Sequence, residues 1–308
     1  MTQSCNMLSV LIPIFNHDVN RLVTALDQQL AQAGISYEII LADDCSDNAE
    51  YREKNASLAQ LNNVQYIQNQ KNMGRAKIRN LLATKTKYPY LLFIDCDAMV
   101  GNQDYIKKYM DAIEKMRPHQ AFVINGGIAY RKEKPDNQYL LRWYYGKRRE
   151  EESAEQRNKR PYHHFTPFNV IISKSVFEAI QFDENLTTYG HEDTLFGYQL
   201  QQKQIPYMHI ENPLYHEGLD TNEEYLQKIR LSIDNLIYIS ENQNINHSFL
   251  KENRLLKTYQ RCKNLGLAKL LGRHFERKAE KMQEHLSQKP CMSLIDLYKL
   301  SYLASKKL

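Results

Sequence analysis

The chain has 308 residues, 42% hydrophobic and 25% charged, which predicts a folded protein with a sizeable core and excludes a disordered one. Its net charge of +5 is unevenly placed: from Thr221 onward 16 Lys and Arg face 9 Asp and Glu. A near-neutral body with a basic tail argues against a general nucleic-acid binder, whose basic face belongs to the fold itself.

Leu8 to Ile12 reads as a buried strand, closed by Pro13 and the turn-prone Asn16-His17-Asp18. Val19 to Ala33 has helical spacing, with Leu22, Leu26 and Leu30 on one face and Gly34 at its end. Tyr37 to Leu41 is a second buried strand and runs into Ala42-Asp43-Asp44-Cys45-Ser46-Asp47. Val64 to Ile67 is a short strand, Met73 to Thr84 a helix, Tyr90 to Ile94 a strand and Gln103 to Met116 a helix. Strands alternating with helices predict a parallel, doubly wound α/β sheet. Ala121 to Ile124 is another strand, followed by Gly126-Gly127. Lys132 to Arg160 is highly charged without a clean period and reads as an excursion or flexible loop. Val170 to Ile172 is a strand, Lys174 to Ile180 a short helix, Thr194 to Gln202 a helix and Pro206 to Ile210 a strand. From Asn222 the pattern is helical to the end, which divides the chain into a domain over 1–220 and a helical region over 221–308.

Five cysteines (Cys5, Cys45, Cys96, Cys262, Cys291) show no CxxC spacing, and Met7 to Phe15 has no basic flank and is broken by Pro13. These features predict a reduced, cytoplasmic protein without a signal peptide. No stretch approaches the ~20 apolar residues of a membrane span, so any membrane contact is expected to be peripheral. Twenty-one tyrosines against one tryptophan point first to core and interface tyrosines.

The most informative segment is Phe93-Ile94-Asp95-Cys96-Asp97, an apolar strand ending in two aspartates. Ligands of open α/β sheets sit beyond the carboxyl ends of the strands, where these two would lie. Two carboxylates there can hold a hard divalent cation, and the cation a diphosphate.

Five motifs in order, SVLIPIFN, ILADDCSD, KNMGRAKIRN, LLFIDCDA and YGHEDTLFGYQL, followed by LYHEG, resemble the inverting nucleotide-sugar glycosyltransferases of family 2, which have the GT-A fold. The subgroup most similar holds the bacterial chondroitin-type polymerases and the polypeptide N-acetylgalactosaminyltransferases. The resemblance implies a Rossmann-like, mostly parallel sheet flanked by helices, with a helical appendage. It implies that Pro13 and Phe15 meet the nucleotide base, that Asp44, with Asp43 beside it, accepts a hydrogen bond from uracil, and that Asn72, Gly74 and Arg79 keep the pattern of the following helix start. Lys77 and Ile78 stand there where small or apolar residues are commoner. By the same resemblance Asp97 binds Mn²⁺ or Mg²⁺, Asp95 contacts the ribose or the metal through water, and His216 completes the coordination. An imidazole tilts the choice towards Mn²⁺. Asp193 is implied as the general base for the acceptor hydroxyl, with Glu192 orienting acceptor or donor, and Gly126, Gly127 and Asn169 as neighbours of the donor sugar.

The function so implied is metal-dependent transfer of a hexose or N-acetylhexosamine from a UDP-sugar to a hydroxyl of a glycan or lipid-linked glycan, in surface polysaccharide synthesis. A sugar nucleotidyltransferase would carry a glycine-rich basic signature near its first strand, which SVLIPIFN lacks. A catalytically silent sugar- or nucleotide-binding module has no need of Asp95, Asp97, Asp193 and His216 together. No GxGxxG follows any strand, which disfavours a dinucleotide-binding protein. Lys251 to Lys289 holds 11 Lys and Arg against 4 Asp and Glu, with Leu265, Leu267, Leu270, Leu271 and Phe275 interspersed. That composition suits a helix packed on the protein or one lying on an anionic membrane.

Overall fold

The computed structural model describes residues 7–186, 188–241 and 253–307. Cys5, Lys251 and the stretch 242–252, through which the continuous helical reading runs, lie outside the described residues. The described residues of Met1–Arg131, Glu150–Thr187 and Glu192–Gly218 form one compact unit, and those of Lys132–Arg149, Thr188–His191 and Leu219–Leu308 form a second.

The first unit is built on a seven-stranded sheet. In chain order its elements are β1 (Met7–Ile14), α1 (Asn20–Gln32), β2 (Ser36–Asp43), α2 (Ala49–Ser57), β3 (Val64–Gln68), α3 (Arg75–Thr84), β4 (Tyr90–Ile94), β5 (Ala98–Met99), α4 (Tyr105–Met116), β6 (Val123–Asn125) and β7 (Ile128–Ala129). After α5 (Leu140–Arg149), which belongs to the second unit, come α6 (Ala154–Asn158), β8 (Asn169–Ser173), α7 (Lys174–Ala179), α8 (Glu192–Gln202), β9 (Tyr207–His209) and β10 (Leu214–His216). The sheet order is β3-β2-β1-β4-β8-β6-β9. All neighbours are parallel except β8, which runs antiparallel to both β4 and β6. The mixed α/β class is as expected. The antiparallel β8 is the departure from a wholly parallel sheet, and nothing in a five-residue apolar run specifies direction.

Successive residues of a strand face opposite sides of the sheet. Leu8, Val10 and Ile12 of β1 join one core with Leu22 and Leu26 of α1 and Tyr105, Tyr109 and Ile113 of α4. Leu11 of the same strand joins the other, with Ile78 and Leu82 of α3, Phe93, Phe177 and Phe196. Two departures concern the charged stretches. Helix α2, whose only buried residue is Asn55, escaped a reading based on apolar period. The expected excursion over Lys132–Arg160 contains α5 and α6, with Arg142 and Arg157 buried where a loop was anticipated.

The second unit is helical. Besides α5 it holds α9 (Asn222–Glu241), α10 (Arg254–Asn264), α11 (Ala268–Gln288) and α12 (Met292–Lys306). Its own core joins Leu141, Leu226, Ile229, Ile233, Met282, Leu286, Ile295, Tyr298 and Leu303. Among the described residues no helix is long and apolar enough to cross a membrane.

Candidate active site

Strands β2, β1 and β4 are parallel neighbours, so their carboxyl ends lie side by side. That places Pro13 and Phe15, Asp43 and Asp44, and Asp95 and Asp97 along one edge. The Phe15 ring is 46% exposed there. Asn16, at φ 51°, ties the loops together: its side-chain oxygen accepts from the Asp47 N–H at 2.7 Å. The adjacent acids do different things. Asp44 accepts from the N–H groups of Met73 and Gly74 at 2.8 and 2.9 Å, one on each oxygen, which fixes the start of α3. Asp43 accepts from the Ser46 N–H at 2.7 Å, and its buried Oδ2 has no hydrogen-bond partner. The Asp43 carboxylate also faces the buried Tyr66 hydroxyl, whose pKa is raised by burial and by that charge. Gly74 holds φ 82°, a conformation that a side chain would strain, and Asn72 accepts from its N–H at 3.1 Å.

From that start α3 presents Arg75 and Arg79, one turn apart and on the same face. Arg79 is 3% exposed and donates from Nη2 to Asp95 Oδ1 at 2.7 Å, stacking over the Phe182 ring as it does so. Burial acts to raise the Asp95 pKa, but Arg79 and Arg75 outweigh it and hold the carboxyl below its usual range. Arg79 Nη1 and Arg75 Nη1 also lie 3.9 Å from Glu192 Oε1. One buried guanidinium thus links the acids after β4 to those that open α8.

Asp97 and His216 meet because β10 pairs antiparallel with β5, placing His216 opposite Ala98. The His216 ring lies between Tyr130 and Phe168, with near-parallel planes at centroid distances of 5.5 and 5.4 Å. Its Nε2 is 3.5 Å from Asp97 Oδ2, while Asp97 Oδ1 is buried without a hydrogen-bond partner. Gly218 makes room for this carboxylate, since a Cβ there would meet the Asp97 Cβ at 2.6 Å. Among the described residues no three His, Cys, Asp or Glu side chains close into a metal site by themselves. An orphaned carboxylate oxygen beside an imidazole is nevertheless a donor pair that suits a divalent cation.

Glu192 and Asp193 are the first residues of α8, and Glu192 is buried. A helix N-terminus favours negative charge, but burial, followed by the repulsion of Glu192, pushes the Asp193 pKa up to about 6. Its Oδ1 accepts from the Thr194 N–H at 2.6 Å. A carboxylate with a pKa near 6 is still ionised at neutral pH and is a better proton acceptor than an ordinary aspartate.

Gly126, Gly127 and Asn169 are drawn together, and their contacts lie within the protein. Asn169 Oδ1 accepts from the Tyr105 and Tyr109 hydroxyls, each at 2.7 Å, and Nδ2 donates to the Gly127 and Asn212 carbonyls. A Cβ on Gly126 would meet Asn169 Nδ2 at 2.5 Å, and one on Gly127 would meet Arg157 Nη2 at 2.6 Å. The space left by these glycines is filled by side chains of the chain itself. Arg157, which sequence reasoning did not single out, donates from Nη2 to the Ile210 carbonyl at 2.9 Å and lies 2.8 Å from His209 Nδ1. Burial lowers the His209 pKa to about 3, so the neutral ring accepts from Arg157 on Nδ1 and donates from Nε2 to Pro161.

Residues 9–181 match the model of glycosyl transferase family 2. The chain belongs to that family. The matched range covers the acids after β2 and β4 but ends before Glu192, Asp193 and His216. It is 26% identical over 243 residues to a chondroitin synthase of Escherichia coli, covering 68% of this chain and 34% of that one. It is 30% identical over 133 residues to an uncharacterised glycosyltransferase of Haemophilus influenzae, covering 40% of this chain and 42% of that one. The chain thus spans less than half the length of either relative. Among solved structures it resembles Staphylococcus aureus TarS 1-349 in complex with UDP (18% identity, TM-score 0.51, covering 97% of this chain and 91% of that one). It also resembles the mannosyltransferase PcManGT of Pyrobaculum calidifontis in complex with GDP-Man and Mn²⁺ (12% identity, TM-score 0.57, covering 97% and 86%). These two likenesses concern the fold.

Proposed function

We propose that the chain is a metal-dependent inverting glycosyltransferase that moves a hexose or N-acetylhexosamine from a UDP-sugar to a hydroxyl of a glycan or lipid-linked glycan. The setting would be surface polysaccharide synthesis on the cytoplasmic side of a membrane, with a peripheral contact through the basic C-terminal region. The observation that carries the reading is Asp97 Oδ1, a buried carboxylate oxygen without a partner beside His216. Asp97 and His216 would hold a divalent cation, with Asp95 nearby. When bound, such a cation offsets the charge that builds on the β-phosphate as the diphosphate leaves.

The remaining chemistry falls to the chain. Phe15 and Pro13 would receive the base, with Asp43 or Asp44 as acceptor for the uracil N–H, and Asn72, Gly74 and Arg75 at the start of α3 would face the phosphates. Arg79 holds Asp95 in place and in its ionised form. Asp193 takes the proton of the acceptor hydroxyl as that oxygen bonds to the anomeric carbon from the face opposite the departing diphosphate. Inversion follows from that geometry, because bond making and bond breaking occur on opposite faces. Glu192 would orient the acceptor while keeping the Asp193 pKa high. Gly126, Gly127 and Asn169 would support the wall of the donor-sugar site from within.

The order of the acidic motifs supports the donor class. The TarS structure carries UDP and the PcManGT structure GDP-Man, so the base is a matter for experiment. Calorimetric titration with UDP, GDP and ADP, each with Mn²⁺ and again with EDTA, is the test. Binding of UDP that is lost with EDTA supports the reading. Metal-independent binding refutes the role of Asp97 and His216, and binding of none of the three points to a silent module.

A further inference from the structure

The apolar residues of the basic tail do not share one environment. Leu255, Leu256 and Tyr259 of α10 and Ala268, Leu271, Phe275, Met282 and Leu286 of α11 pack into the core of the helical unit. Leu265 and Leu267, between those helices, and Leu270, in the first turn of α11, are 73%, 43% and 62% exposed. A single exposed leucine needs no explanation, but three within six residues at one hairpin end do. Gly266 forms the turn at φ 71° with nothing within 4 Å of its Cβ position, so the tip is open to solvent.

The charge around this tip is of one sign. From Arg254 to Arg273 there are six basic residues (Arg254, Lys257, Arg261, Lys263, Lys269, Arg273) and no Asp or Glu. Arg261, Lys263, Lys269 and Arg273 are exposed, and among the described residues none of them has an ion-pair partner. An apolar tip inside a cationic collar is what an anionic bilayer accommodates: the leucines enter the acyl boundary and the collar meets the headgroups. A second copy of the chain would set one collar against another, which repels.

We infer that the α10–α11 turn, with Leu265, Leu267 and Leu270 as its tip and Arg261, Lys263, Lys269 and Arg273 as its collar, docks on an anionic lipid surface. The inference rests on the peripheral-membrane part of the proposed function and is independent of its catalytic part.

The test is partitioning of the full chain onto protein-free vesicles of phosphatidylcholine alone and of phosphatidylcholine mixed with phosphatidylglycerol. Two variants accompany it, Leu265→Ser/Leu267→Ser/Leu270→Ser and Lys263→Gln/Lys269→Gln. The wild type binds the anionic vesicles and added salt weakens it. The leucine variant loses at least tenfold in partitioning, and the lysine variant about fivefold per lysine removed. All three proteins keep the same thermal midpoint and the same UDP affinity, because the substituted residues are exposed and remote in sequence from the acidic motifs. Wild-type partitioning in both variants overturns the tip while leaving a membrane contact elsewhere. Equal binding to both vesicle types overturns the role of the collar. No vesicle binding by the wild type overturns the lipid assignment. A failure of the catalytic reading shows separately, in the UDP titration.

Discussion

Replacing Arg79 by methionine tests the device that holds the site together without requiring any substrate. The side chain is 3% exposed and makes one strong hydrogen bond, 2.7 Å to Asp95 Oδ1. Removing one partner of a buried ion pair costs about 3–5 kcal/mol, because the other charge is left uncompensated. Two features reduce that figure. The Asp95 side chain is 25% exposed, so water can reach the abandoned carboxylate. Arg79 Nε and Nη1 are buried without hydrogen-bond partners, and their removal relieves about 1 kcal/mol or more. The expected net loss is about 2 kcal/mol, or roughly 4–8 °C in the midpoint of a sheet unit of this size.

The loss should depend on pH, with a sign that can be derived. In the wild type the Asp95 pKa is depressed below 3.8, so its contribution is present above that value and fades as the pH falls through the native pKa. Without Arg79 only Arg75 and His216 are left to oppose burial, so the native pKa rises and the variant gains less stability than the wild type as the pH rises. The gap between variant and wild type must therefore widen from pH 4 to pH 7. Urea unfolding read by amide exchange in β4 measures it at both pH values. In an Asp95→Asn background the same substitution should cost less, since the pair is already gone. An Arg79→Met protein as stable as the wild type, or a penalty that does not change with pH, refutes the argument.

Further outcomes follow from the same geometry. Turnover should show an acid limb near pH 6 set by Asp193, falling to roughly a tenth of its neutral-pH value by pH 5, with Glu192→Gln moving the limb downward because a neighbouring negative charge is lost; a pH–rate profile checks it. Asp193→Asn should lower turnover by about 10²–10⁴ while leaving UDP binding nearly intact, as single-turnover assays and calorimetry would show. Asp97→Ala and His216→Ala should each weaken Mn²⁺-dependent UDP binding and leave any metal-independent part unchanged, read by titration with and without EDTA. Gly126→Ala should cost about 1–3 kcal/mol in urea unfolding, because the new Cβ lies 2.6 Å from the Asn212 carbonyl oxygen, a backbone atom that cannot easily move.

The fold was legible wherever burial left a strong pattern. Tyr90–Ile94 is a strand with the expected bounds because both its faces are covered, leaving a continuous apolar run. The direction of β8 was not legible, since side-chain type does not encode it. Helix α2 was invisible because its face is polar and is held by Asn55 contacts rather than by apolar packing: Asn55 Oδ1 accepts from the Val19 N–H at 3.0 Å. The acids that the structure gathers at the strand ends and at the start of α8 stand out in the sequence by kind and order, but their partners do not. Arg79 stood in the motif as a pattern residue, and only the turn of α3 reveals that it grips Asp95 and lies near Glu192. Gly218 and Arg157 act through space alone, one by leaving room for Asp97 and the other by reaching carbonyls far away in sequence. The assignment of Gly126, Gly127 and Asn169 to the donor sugar came from motif position, and the contacts that fill their space are internal ones.

The same side-chain type is set to three different conditions by three local devices. Asp95 faces a buried arginine, which keeps it charged, because the turn fixed by Asp44 starts α3 at the right point. Asp193 shares a helix start with Glu192 in a buried setting, which keeps it basic. Asp97 keeps an oxygen free because the two-residue strand β5 pairs with β10, and that register sets His216 beside one oxygen only. The conditions of Asp95 and Asp97 depend on backbone features outside the motif that carries the acid. Chains that keep the acidic motifs but lose Gly74, Gly218 or the β5–β10 pairing should therefore fold a sheet and fail as enzymes.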